Sequence, residues 1–242
     1  MSVGDNDSMN FGALTRACTA GISAVALLSG CVGNVSGTAV RAKSATPLDV
    51  APLKESQLDG VLLSIDELDH LVGATEMGFV HQADDMSDNS AAVSDPDCLG
   101  SLFGSEKDVY EAHHWTAVRD EVAREPSDGN DHWVQQTIVL YPVADDAQMM
   151  FADSTASWER CGNSAVATDS SDSSYIWEID AVDVKDDLIV QVIMQEESGG
   201  WECQHVMAAV SNVTIETWAC ADGINDEAVA IAQRLIANTA KK

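Results

Sequence analysis

Apolar residues recur at helical spacing in some stretches of the chain and at alternate positions in others. Ser64-Ile65-Asp66-Glu67 sets a serine before a glutamate three residues on, the pattern of a capping box. It predicts a short helix with Ile65, Leu68, Leu71 and Val72 on its apolar face, stopped at Gly73. Between Asp145 and Arg160, Ala147, Met150, Phe151, Ser154 and Trp158 fall on one helical face, and Cys161-Gly162-Asn163 ends the run. Asp145 and Asp146 suit the first turn of that helix and Arg160 its last. A third helix is expected from about Asp226 to Ala240, with Ala228, Ile231, Ala232, Leu235 and Ile236 as its buried stripe.

The β-branched and aromatic runs lie between these helices. His113 to Val122 reads as a strand with Trp115, Ala117 and Arg119 on one face, and Trp133 to Tyr141 as its hairpin partner across a turn at Pro126 to Asn130. Further strands are expected at Tyr175 to Val182, Leu188 to Met194, and Cys203 to Cys220, the last broken in two at Ser211-Asn212. Gln82 to Asp97 is polar and acidic and reads as an exposed loop. It lacks the alternating acids, glycine and closing glutamate of a calcium loop. The expected fold class is α+β, a twisted antiparallel sheet flanked by helices.

The first thirty residues follow another logic. Arg16 precedes the apolar run Ile22 to Leu28, and small residues follow, the order of a secretory signal peptide. Leu28-Ser29-Gly30-Cys31 is similar to the bacterial lipobox, which implies cleavage before Cys31 and lipidation of its thiol. Met9 makes a better start than Met1, because Asp5 and Asp7 cancel a positive n-region. The expected organisation is a signal peptide at 1–30, a lipidated tether at 31–57 rich in Gly, Ser, Thr and Ala, and one domain at 58–242. No apolar run after Cys31 approaches the roughly 20 residues of a spanning helix, so an anchored protein is expected.

Asp and Glu number 40 against 12 Lys and Arg, a net charge of -28. Such a chain repels nucleic acid, whose binding depends on neutralising phosphates with cations. Of six cysteines, Cys18 and Cys31 belong to the leader. Cys98, Cys161, Cys203 and Cys220 remain, and an even count in an exported domain predicts two disulfides with three possible connectivities.

The order of motifs is familiar: Pro96-x-Cys98-Leu99, then Trp115-Thr116-Ala117-Val118-Arg119, then a helix closing at Cys161. Trp201-x-Cys203-x-His205, Asn212-Val213-x-Ile215-x-x-Trp218-x-Cys220 and an Ala-rich last helix follow. Over about 58–242 the chain resembles the PknH-type extracellular sensor domain family. The resemblance implies a twisted antiparallel sheet with helices, a large cleft as ligand site, and disulfides Cys98–Cys161 and Cys203–Cys220. A hairpin turning near Asn212 would bring the second pair together on its own account. With no kinase signature in this sequence, "sensor" carries over as "ligand-binding domain".

Candidate chemistry is sparse. His113 and His114 are adjacent and would face opposite sides of a strand, His132 sits beside a turn, and His205 neighbours a disulfide cysteine, so no metal site or cofactor is expected. There is no Gly-x-Ser-x-Gly elbow and no phosphate loop, so no catalytic residue is assigned and an enzyme, hydrolase-like, is the weakest reading. Trp115, Trp133, Trp177, Trp201 and Trp218 stand out in a chain of 5% aromatic content. One or two of them lining a cleft would suit an apolar or sugar-bearing envelope ligand. The expected function is an envelope lipoprotein, anchored by lipid to the outer face of the cell membrane, that binds a small molecule. The alternative is a module that docks an envelope protein partner.

Overall fold

The computed structural model describes residues 50–126, 131–169, 173–185 and 187–242. The signal segment, Cys31 and most of the tether lie outside the described residues, as does most of the expected turn at 126–130. Leu53, placed by composition in the tether, is 5% exposed. Its N–H donates to Asn212 Oδ1 and its carbonyl accepts from Asn212 Nδ2, so packing begins before Leu58.

The helices form where their caps and stripes predict. Helix α1 spans Ile65–Val72, with the Ser64–Glu67 capping box in place and Gly73 left-handed at φ 79°. Two short helices follow, α2 (Leu99–Leu102) and α3 (Lys107–Tyr110). Helix α4 runs Ala144–Cys161 and buries Ala147, Met150, Ser154 and Trp158. Helix α5, Glu227–Thr239, buries the expected Ala228, Ile231, Ala232, Leu235 and Ile236.

Among the described residues, nine strands make one antiparallel sheet: β1 (Gly78–Ala83), β2 (Ala117–Arg124), β3 (His132–Leu140), β4 (Ser164–Asp169), β5 (Ser174–Ile179), β6 (Asp183–Lys185), β7 (Leu188–Gln195), β8 (Trp201–Val210) and β9 (Val213–Asp222). Their order is β1-β2-β3-β9-β8-β7-β5-β4, with β6 on β7. The hairpins β2–β3 and β8–β9 are those expected. The strand expected from His113 starts only at Ala117, because Glu111–His113 close a 3-10 turn and His114 is left-handed at φ 54°. His113 and His114 are therefore not on a strand at all. β1 and β4 are at the sheet edges, where half-exposed strands carry no clean apolar alternation to announce them.

Both faces of the sheet are covered. On one, Val134, Ile138, Val206, Ala208 and Ile215 pack under α1 and α5. On the other, Val118, Val139, Ile189 and Met207 pack under Ala147, Met150 and Trp158 of α4. Central strands are thus buried on both faces, polar Gln135-Gln136-Thr137 and Glu216-Thr217 included, and alternation could not tell one face from the other. Ala117 and Arg119 share one face of β2, Trp115 precedes the strand, and the α4 face carries Val118, Asp120 and Val122. Disulfide Cys98–Cys161 ties the segment before α2 to the end of α4, and Cys203–Cys220 joins β8 to β9.

Candidate ligand-binding cleft

Helix α4 covers only part of its face of the sheet. Side chains opposite one another in an antiparallel ladder share a face, so the register writes that face as rows. One row runs Ile189, Met207, Glu216, Thr137, Asp120. The next runs Gln191, His205, Trp218, Gln135, Val122, His81. A third runs Ile193, Cys203, Cys220, Trp133. Trp158 of α4 lies on His205, and His205 stacks in turn on Trp218, with ring centroids 3.9 and 3.7 Å apart. Beyond that stack no helix covers the rows, and a cleft of about 520 Å³ opens over them.

The floor of the cleft is the Cys203–Cys220 disulfide with Trp218, Gln135 and Asp120. Trp133 flanks it on β3, Trp201 on β8, and Tyr175 and Trp177 on β5. Trp177 is held by its Nε1–H, which donates to Thr168 Oγ1 at 3.1 Å. The remaining wall is the segment after α2, with Leu102, Phe103 and Gly104, and the strap around Ser87 and Asn89. That strap falls in the stretch expected to be an exposed acidic loop. It is pinned instead: Ser87 N–H donates to Ser105 O at 2.8 Å, and Asn89 N–H to Glu106 Oε2 at 2.8 Å. Burial raises the Glu106 carboxyl above its ordinary range, and the two hydrogen bonds from Asn89 oppose that rise. Gly104 is required by close approach. A Cβ there would sit 2.9 Å from both Gln135 Oε1 and Trp218 Nε1.

A β-bulge decides the position of His81. Register shifts between Phe79 and His81, so His81 faces Val122 on the cleft side, while Phe79 pairs with Ala123 on the opposite side. His81 Nε2 thereby lies 3.9 Å from Asp120 Oδ2. Asp120 is 1% exposed; its Oδ1 accepts from Thr137 Oγ1, its cross-strand partner, and from Gln135 Nε2. Burial pushes the Asp120 carboxyl up, with Thr137 and Gln135 opposing.

Beside the floor, on the same face of the sheet, lies a second polar cluster. Glu216 Oε1 meets His205 Nε2 at 2.8 Å, while Oε2 accepts from Tyr110 Oη at 2.7 Å and from the Ser105 amide at 3.1 Å. Burial lowers the His205 pKa, with Glu216 opposing, and burial raises that of Tyr110. The cluster ties α3 and the Gly104 wall to β8 and β9.

Of the five tryptophans singled out, the structure brings Trp133, Trp177, Trp201 and Trp218 together and sends Trp115 to pack under α4. The four cysteines form the two implied disulfides. Asp120, Gln135, His81 and Gly104 were not anticipated. For Asp120 a signal existed: an acid between Val118 and Val122, in phase with them. Among the described residues no group of three or more His, Cys, Asp or Glu is placed to hold a metal, and no helix is long and apolar enough to cross a membrane. The polar groups lining the cleft are indole N–H groups, amides, the Ser87 hydroxyl, the Tyr175 phenol, one carboxylate and one imidazole, with both cysteines locked in the disulfide.

The family model described as PknH-like extracellular domain matches residues 53–238. The chain belongs to that family. It is 31% identical to the serine/threonine-protein kinase PknH of Mycobacterium tuberculosis over 198 residues, 82% of this chain and 31% of the kinase. The PknH of Mycobacterium bovis matches at 31% over 185 residues, 76% of this chain and 31% of that protein. The chain thus spans about a third of the length of these curated relatives. The crystal structure of the extracellular domain of PknH from Mycobacterium tuberculosis superposes with a TM-score of 0.77 at 30% identity, covering 80% of this chain and all of that one. The α+β fold and both disulfides are those of a PknH-like extracellular domain, and the family places this domain outside the cell or facing its envelope.

Proposed function

We propose that this PknH-like domain captures a small amphipathic molecule in its tryptophan-lined cleft, and that Cys31 anchors it by lipid to the outer face of the cell membrane. The observation that carries the first part is the cleft itself: four indoles around about 520 Å³, open to solvent, over a disulfide floor. That volume lies within the range of small-molecule sites, and a mostly apolar wall with a few fixed polar groups is their usual make-up. The second part is supported by the Leu28-Ser29-Gly30-Cys31 motif and by disulfides that need an oxidising compartment.

The test is mass spectrometry of the full chain purified from membranes, denatured and native. The expected result is a diacylated Cys31 N-terminus, four thiols that appear only on reduction, and a co-purifying small molecule released on denaturation. An unprocessed Met1 or Met9 with free thiols would overturn the anchor. A native mass equal to the lipidated polypeptide alone, with cleft indoles unresponsive to small-molecule probes, would overturn the cleft as a binding site and leave docking of an envelope protein as the reading to pursue.

A further inference from the structure

We propose that the ligand of the cleft is an organic cation, its ammonium or guanidinium group paired with Asp120 and its apolar body lying against the indoles. The inference rests on the cleft being a ligand site and assigns the class of ligand.

Three observations carry it. The first is the state of Asp120. Its side chain is only 2% exposed, yet it lines the cleft, and both hydrogen bonds it accepts fall on Oδ1. The group nearest to Oδ2 in charge is His81 Nε2, at 3.9 Å and beyond hydrogen-bond range. A buried carboxylate without a permanent cation is a destabilising arrangement, relieved when a charged donor arrives. Among the described residues, the nearby charge of Glu216 disfavours its ionisation and that of the half-exposed His81 favours it.

The second is the sign of every charge around the cleft. Two smaller hollows continue it: one shares Tyr175 and Trp177 and ends at Asp169, the other shares Gln195 and Trp201 and ends at Asp222. Among the described residues, no lysine or arginine lines the cleft or either extension. An anionic ligand would be repelled by Asp120, Asp169 and Asp222 and would meet no lysine or arginine among those described residues. The whole chain adds a net charge of -28, a field that concentrates cations at its surface.

The third is the wall. Indole faces attract cations within about 6 Å of the ring, more strongly as water is excluded. Trp133, Trp177 and Trp201 therefore serve both the apolar body and the charge. A neutral sugar would use the indoles and amides but leave the buried charge at Oδ2 uncompensated.

The test uses four probes on the intact chain: phenethylammonium, 2-phenylethanol, phenylacetate and maltose, followed by indole fluorescence and titration calorimetry. The expected result is binding of phenethylammonium at least about tenfold tighter than of 2-phenylethanol, with phenylacetate weakest. Asp120→Asn should bring that ratio to about one by weakening phenethylammonium. His81→Lys, at a half-exposed position outside the core, should weaken phenethylammonium in the same way by placing a resident ammonium beside Oδ2. Equal affinity for the ammonium and the alcohol, or preference for maltose, overturns the cation while leaving the cleft a ligand site. Silence of the indoles and the calorimeter to all four probes overturns both readings.

Discussion

Asp120 is an acid on a strand face whose neighbours in phase, Val118 and Val122, are apolar. Burial raises its pKa above 3.8, so the folded protein holds the proton more tightly than the unfolded chain. Stability therefore falls as pH rises from 3.8 through the raised value, and the full cost of the buried charge is felt above it. Asp120→Asn removes that cost and keeps an acceptor for Gln135 and Thr137. We expect the variant to melt higher than the parent at neutral pH, by about 2–4 °C for each kcal/mol recovered, and the gap to close as pH falls through the raised pKa. Melting curves across that range check it. A variant less stable than the parent at neutral pH would show that Asp120 is held for structure and not for a ligand.

At the scale of elements, the two disulfides do different work. Cys203 and Cys220 are direct partners in the β8–β9 ladder and close a separation of 17 residues. Cys98 and Cys161 join the segment before α2 to the end of α4 across 63 residues. Loop closure alone is worth about 3 kcal/mol for the shorter and about 4 for the longer. The hairpin ladder already holds the first pair together, so its bond constrains less than that figure. Paired replacement of Cys98 and Cys161 by serine should accordingly lower the melting temperature more than the same change at Cys203 and Cys220. The reverse order would mean that the disulfide in the cleft floor, and not the one between the segment before α2 and the end of α4, supports the domain. Loss of the Cys98–Cys161 bridge should also loosen the wall at Gly104, which reaches the floor without any covalent tie of its own.

For the molecule as a whole, 40 acidic against 12 basic residues leave the folded chain repelling itself. Compaction brings these charges together, and salt screens them. Raising sodium chloride from about 10 to about 200 mM shortens the screening length from about 30 to about 7 Å. The melting temperature is expected to rise over that interval. A flat or falling response would mean that specific ion pairs outweigh the repulsion. Among the described residues, lysine and arginine pair as Arg119 with Asp59 and Glu55 and Lys185 with Asp183, each with an exposed carboxylate, and exposed pairs contribute little.

The chain by itself determined whatever depends on neighbours within a few residues. The Ser64–Glu67 capping box, the stripes of α4 and α5 and the break at Ser211-Asn212 are local signals, because caps, helical periods and turns act over one or two turns of chain. The α+β class came from the order of helical and strand-like stretches, the cysteine pairing from the family resemblance, and the structure has both. The cleft was legible as something the family resemblance implies and as a surplus of tryptophans, without the residues that line it. Which four of them meet is set by pairing across β3, β9, β8, β7 and β5, partners as far apart as Trp133 and Trp177. Asp120 and His81 face one another because of strand register and a single bulge in β1, and a shift of one residue would turn either to the other face. Both faces of the central strands are buried, so alternation carries no information about which side a residue serves. That choice belongs to the tertiary structure, which places α4 over one half of a sheet face and leaves the other half open.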